Sequence, residues 1–100
     1  MVKHIILWTL KDEYSNEEKN EIKLAIKKNL ESLMGKIDGL IKIDAEINPL
    51  ESSNADLMLY SEFENKEALK CYSSHPDHVY LADTFVRPYT KMRNCIDFEC

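Results

Sequence analysis

The chain has 100 residues, of which 44% are hydrophobic, and this is the usual size of one domain with a small core. Its 18 acidic and 13 basic residues give a formal net charge of −5, which argues against nucleic-acid binding because phosphate contacts need a positive surface. No apolar run is long enough to cross a bilayer, so no membrane span is expected. The 3 cysteines form no CxxC pair, which argues against a metal site and favours a cytoplasmic location. We therefore expect one domain over residues 1–100, without a metal or cofactor.

The first predicted element is a strand from Val2 to Leu10 that is apolar on both faces. The residues of its two faces are Val2, His4, Ile6, Trp8 and Leu10 on one, and Ile5 and Leu7 on the other. A helix is predicted next, from Asn16 to about Met34, because Ser15 and Glu18 have the spacing of a capping box. Its apolar stripe consists of Ile22, Ala25, Ile26, Leu30, Leu33 and Ile37.

The rest of the chain predicts three strands and two helical segments. The strands cover 40–47, 57–63 and 92–98, and Ile41, Ile43, Ala45 and Ile47 are expected on one face of the first of these. Asn65 can cap a helix over 66–74, and a further helical piece follows over 76–86. The order of elements predicts an α+β, ferredoxin-like fold with an antiparallel four-stranded sheet. Two helices cover only one face of such a sheet, so the apolar second face of the first strand predicts a homodimer packed sheet against sheet.

The segment Tyr72–His78 holds two of the chain's 3 histidines, on either side of Pro76. Proline disfavours a helical conformation for the residue before it, so His75 is expected to end one helix and Pro76 to begin the next. This break would present imidazole and phenol groups together, and only histidine has an ordinary pKa that lets it exchange protons near neutral pH. Two interpretations stay open: Tyr72 and His78 are acid–base groups, or they hydrogen-bond internally and tie the helix break to the sheet.

Four segments resemble the stress-responsive A/B barrel domain family: Val2–Leu7, Phe63–Leu69, Tyr72–His78 and Asp97-Phe98. The resemblance covers nearly the whole chain, and the Tyr-x-x-His-Pro-x-His pattern after a strand ending in Phe-Glu is its most specific part. It implies a ferredoxin-like protomer that pairs into a dimeric α/β barrel. It also implies a role for Tyr72 and His78, because plant polyketide cyclases of the olivetolic acid cyclase type use the matching pair in an aldol-type cyclisation.

The same resemblance implies a pocket for a small apolar or aromatic ligand. The residues expected to contact that ligand are His4, Ile6, Trp8, His75, Ala82 and Phe85. Ile26 and Leu57 replace polar residues of the cyclase pocket and Trp8 is bulkier than its counterpart, so the plant enzyme's long alkyl substrate is not expected to fit unchanged. The function is therefore either a homodimeric stress-response protein with a ligand pocket and no assigned reaction, or a cyclase or lyase. In the second case His78 is the base and Tyr72 the hydrogen-bond donor.

Overall fold

Four strands and three helices make up the fold of residues 1–100, all of which are described by a computed structural model. The elements are β1 (Val2–Leu10), α1 (Asn16–Glu31), β2 (Leu40–Glu46), β3 (Leu57–Phe63), α2 (Lys66–Ser74), α3 (Pro76–Leu81) and β4 (Thr90–Glu99). Between α3 and β4 the chain forms a π-helical turn, Ala82–Val86, and a 3₁₀ turn, Arg87–Tyr89. The strands form one antiparallel sheet in the order β2-β3-β1-β4. The predicted α+β, ferredoxin-like fold is therefore confirmed.

Side-chain caps start the helices where the sequence predicts them. The Ser15 hydroxyl accepts a hydrogen bond from the Glu18 backbone N–H at 3.2 Å, and the Glu18 carboxylate accepts one from the Ser15 N–H at 2.9 Å. The Asn65 side chain caps α2 in the same way, accepting from the backbone N–H of a residue in its first turn at 2.8 Å. α1 ends at Glu31, before the predicted Met34, and turns follow it toward Gly35. None of the helices is long and apolar enough to cross a membrane.

The core lies between the helices and the face of the sheet that they cover. The inward residues of β1, all buried, are Val2, His4, Ile6, Trp8 and Leu10. In β2 the prediction for Ile41 was wrong, because its side chain is 39% exposed. A register shift between Leu40 and Lys42 moves Ile41 out of the strand's alternation, and Leu40 is buried instead.

Gly39 allows α2 to approach the start of β2. Its φ is 82°, and a Cβ atom added there would lie 2.5 Å from the Cβ of Ala68 in α2. Its carbonyl also accepts a hydrogen bond from the Glu64 N–H at 2.9 Å. Gly35 has a similar φ of 85° but no atom within 4 Å of its added Cβ. Both positions therefore need a left-handed backbone, but only Gly39 is also required for packing.

The second face of the sheet is not covered by any helix. Its exposed apolar side chains are Leu7, Met92, Ile96 and Phe98, which are 39%, 55%, 59% and 40% exposed. Ile5 lies directly opposite Ile96 in the β1–β4 register and adds to the same surface. We call this surface the open face, and it has the apolar character that the sequence of β1 predicts.

Candidate functional site

A cavity of about 170 Å³ lies between the helical layer and the sheet. We call it the central cavity. Its lining residues are His4, Ile6, Trp8, Leu30, Leu59, Tyr72, Ser73, His78, Ala82, Val86, Arg87, Thr90 and Arg93. The apolar lining side chains come from β1, α1, β3 and the π-helical turn, and the polar ones come from β1, α2, α3, the 3₁₀ turn and β4. A larger groove of about 400 Å³ lies against the 48–55 loop, but no histidine or tyrosine lines it.

The break between α2 and α3 brings Tyr72 and His78 together. α2 ends at Ser74, and the next residue, His75, has an extended backbone with φ −63° and ψ 132°. The His75 N–H donates to the Tyr72 carbonyl at 3.1 Å. α3 begins with Pro76 at its first position, while His75 Nδ1 accepts a hydrogen bond from the Asp77 N–H at 3.1 Å. The chain changes direction here, and the rings of Tyr72 and His78 lie with centroids 4.2 Å apart at 40°.

Tyr72 and His78 each carry a buried polar atom without a hydrogen-bond partner. Tyr72 is only 1% exposed and its hydroxyl is unpartnered, as is Nδ1 of His78. Burial raises the pKa of Tyr72 far above its ordinary value. Burial lowers the pKa of His78 below its ordinary value and outweighs a hydrogen bond with the Ser73 backbone, which acts in the opposite direction; the positive charge of Arg87 adds to the lowering. At neutral pH the cavity therefore contains a protonated phenol, which donates, beside a neutral imidazole, which keeps one basic nitrogen.

His4 is held by a carboxylate on the neighbouring strand. It is 5% exposed, and its Nδ1 contacts Oδ1 of Asp97, the residue directly opposite it in the β1–β4 register. Cys95 Sγ lies 3.7 Å from that nitrogen and 3.5 Å from the same Asp97 oxygen. The possible metal-ligating atoms of the three residues all lie within 4.8 Å of one another. This is the one place where the chain groups the side-chain types that bind a transition metal, although His4 and Asp97 already engage each other.

Six of the residues predicted to form the site line the central cavity. They are His4, Ile6, Trp8, Tyr72, His78 and Ala82. The other two lie elsewhere. His75 caps α3 and borders a surface groove beside Cys71, and Phe85 packs in a separate groove with Tyr14 and Tyr89. On the π-helical turn it is Val86, four residues after Ala82, that faces the cavity in place of Phe85.

Sequence reasoning missed the polar residues that β4 contributes. Arg93 lines the cavity, and Cys95 and Asp97 flank His4. In the predicted strand over 92–98, alternation puts Met92 and Ile96 on one face and therefore Arg93, Cys95 and Asp97 on the other. That signal was available, but only the pairing of β4 with β1 places these side chains beside the helix break.

The fold and the cavity define a ferredoxin-like protein whose solved relatives include dimers. The chain belongs to the stress responsive A/B barrel domain family (Dabb), whose model matches residues 2–100. A dimeric protein of ferredoxin-like fold from Bacteroides fragilis is 34% identical, with a TM-score of 0.91 over 99% of this chain and 95% of that chain. A protein from Arabidopsis thaliana is 27% identical, with a TM-score of 0.78 over 100% of this chain and 95% of that one.

A third structure, a dimeric ferredoxin-like protein from Thermobifida fusca, shares the fold at 20% identity. Its TM-score is 0.78, over 99% of this chain and 90% of that chain. The comparison with curated proteins gave no match.

Proposed function

We propose that this protein is a homodimer whose central cavity binds a small apolar or aromatic molecule through Tyr72 and His78. The observation that carries the proposal is the pair of unpartnered polar atoms, the Tyr72 hydroxyl and His78 Nδ1, in the wall of one cavity. Most buried polar groups in native proteins have a hydrogen-bond partner, and leaving one without costs about 1–3 kcal/mol. A ligand with an oxygen near these two atoms would supply the missing partners.

The size and walls of the cavity limit the ligand to about one ring. A dry cavity of about 150 Å³ holds a benzene molecule, and the central cavity measures about 170 Å³. Ile6, Trp8 and Leu30 provide apolar surface for such a ring. A long alkyl chain would require a further opening, which supports the expectation that the plant cyclase's substrate does not fit unchanged.

The open face supports the homodimer. Its four exposed apolar side chains lie on β1 and β4, and a second copy packed sheet against sheet would remove them from water. The Bacteroides fragilis protein, which is 34% identical to this chain, is dimeric. Pairing through this face would leave the central cavity intact, because the cavity lies on the other side of the sheet.

The test is binding of single-ring phenols, such as phenol and 4-methylphenol, measured by calorimetry or by NMR shift changes. We expect Tyr72→Phe and His78→Gln to weaken binding about tenfold each, because each removes one buried hydrogen bond to the ligand. His75→Asn is the matched control, since His75 lies outside the cavity and asparagine can also cap α3. Equal affinity in wild type and in both cavity variants would overturn the proposed contacts.

A second function, lyase or cyclase chemistry, is favoured by the pairing of a neutral imidazole with a protonated phenol. His78 would take a proton from a carbon next to a carbonyl group, and Tyr72 would donate a hydrogen bond to the enolate oxygen that forms. The enolate carbon would then attack a second carbonyl carbon, so that the new C–C bond forms as the π bond of that carbonyl opens, and the oxygen would take the proton back from His78. This is the chemistry implied by the resemblance to plant polyketide cyclases.

Proton abstraction can be measured without knowing the substrate. Wild type should accelerate deuterium exchange from D₂O into the methyl group of acetophenone, followed by NMR. His78→Ala should lower that rate about a hundredfold or more, because a positioned base typically contributes at least that factor. Exchange that is no faster with wild type than with His78→Ala would reject the catalytic function and leave the binding function standing.

A further inference from the structure

Both arginines of this chain line the central cavity. Arg87 and Arg93 are the only arginines among the 13 basic residues, and the chain as a whole has a formal net charge of −5. None of the residues that line the cavity is acidic. The cavity therefore has a positive wall on a protein that is negative overall, which concentrates anions at this point of the surface.

Arg93 has no acidic partner, whereas Arg87 does. Arg87 forms an ion pair with Asp83 one turn earlier. The chain's other ion pairs use lysines and His4, and Arg93 takes part in none of them. The charge of Arg93 is thus available to a ligand, and the planar guanidinium fork fits a carboxylate with two parallel hydrogen bonds.

The position of Arg93 on β4 directs it to the two unpartnered atoms. It lies directly opposite Trp8 in the β1–β4 register, so both side chains project toward the helical side of the sheet. Its positive charge lowers the pKa of both Tyr72 and His78. For Tyr72 this opposes the effect of burial, and for His78 it adds to the effect of burial. All three residues also line the same cavity of about 170 Å³, so one small molecule in that cavity can contact them together.

We propose that the ligand of the central cavity is a small carboxylic acid, whose carboxylate pairs with Arg93 while its ring or acyl part fills the apolar end. This inference rests on the proposed ligand-binding function and adds the charge of the ligand to it. A second oxygen on the ligand would meet the Tyr72 hydroxyl and His78 Nδ1. Trp8 would thus contact the ring, Tyr72 and His78 would bond the second oxygen, and Arg93 would pair with the carboxylate.

The test compares benzoate with benzamide, which has nearly the same shape and no charge, by calorimetry at about 0.15 M salt. Wild type should bind benzoate about tenfold or more tightly than benzamide, because a charge-assisted pair is stronger than a neutral one. Arg93→Met should abolish that preference, because the cavity then has no free cation that distinguishes the charged ligand from the neutral one. Lys91→Met is the matched control: it removes one positive charge from β4, but Lys91 pairs with Asp12 and lies outside the cavity. At this ionic strength exposed charges more than about 8 Å away are screened, so the control should keep the preference.

A charge-reversal variant provides a gain of function that loss of folding cannot imitate. Arg93→Glu should prefer benzylamine, a cation, to benzyl alcohol, its neutral counterpart. The carboxylate inference would be overturned if wild type showed no preference for benzoate. If benzamide binding still depended on Tyr72 in that case, the ligand-binding function would remain in place. Failure of wild type to bind either benzoate or benzamide would overturn both.

Discussion

Tyr72→Phe should stabilise the ligand-free protein. The ring is 1% exposed and its hydroxyl is buried without a hydrogen-bond partner, so folding desolvates that group without compensation. Such a group costs about 1–3 kcal/mol, and the substitution removes it while keeping the ring. A small loss of packing around the missing oxygen offsets part of the gain. We expect a net increase of about 1 kcal/mol in the free energy of unfolding, which raises Tm by about 4–8 °C in a domain of this size.

Thermal and urea melts followed by circular dichroism measure this change. Wild type and variant must be compared at the same protomer concentration, because the stability of the proposed dimer would depend on it. Tyr80→Phe is the matched control, since Tyr80 is 63% exposed and its substitution should change stability by less than about 0.5 kcal/mol. A loss of about 1 kcal/mol in Tyr72→Phe would show that the hydroxyl has a partner in the folded protein and would refute the reasoning. If Tyr72→Phe is more stable than wild type and also binds phenol more weakly, the Tyr72 hydroxyl lowers stability in the free protein and contributes to ligand binding.

Three further predictions concern packing, assembly and pH. Gly39→Ala should destabilise by about 1–3 kcal/mol more than Gly35→Ala in urea melts, because both need a left-handed backbone but only Gly39 would clash with α2. A similar loss in both would refute the packing role. Leu7→Asp should dissociate the dimer in light scattering while Lys28→Asp should not, since only Leu7 lies on the open face; a stable wild-type monomer at micromolar concentration would reject the dimer. Because the pKa of His78 is lowered from 6.5 on folding, the unfolded chain binds a proton more readily. Above pH 6.5 His78 is neutral in both states and the protein keeps its full stability. As the pH falls from 6.5 through the lowered pKa of the folded state, the unfolded chain takes up the proton more readily and stability is lost. His78→Gln should lose less stability than wild type between neutral and acidic pH in melts at each pH, and parallel curves would contradict the assignment.

Much of the fold follows from patterns that act over a few residues. The capping box at Ser15 and the cap at Asn65 fix the starts of α1 and α2. The conformation that proline imposes on its neighbour fixes the break at His75. Strict alternation along β1 separates the buried face from the open face before any partner strand is known. These signals are local, so a single sequence is sufficient to detect them.

The errors arose where the outcome depends on contacts between distant segments. Ile41 is exposed because β2 shifts its register against β3, which no alternation within β2 reveals. Phe85 lies outside the cavity, in the groove with Tyr14 and Tyr89, because the seating of the 82–86 turn against the sheet directs Ala82 and Val86 inward. The spacing of Tyr72 and His78 across a helix break likewise gave no distance between their rings.

The sequence by itself determined the order of elements, the face of β1 that is buried and the residues that form the helix break, because backbone preferences and hydrophobic alternation act within one segment. Only the tertiary structure decided that Tyr72 and His78 lie against each other with unpartnered atoms, and that Asp97 holds His4. It also decided that Arg93 joins the same cavity without an acidic partner. These relations depend on the pairing of β1 with β4, two strands at opposite ends of the chain, and on the seating of α2 and α3 over them. The chemistry of the site is therefore a property of the folded arrangement, because proximity, burial and charge balance arise only when those segments meet.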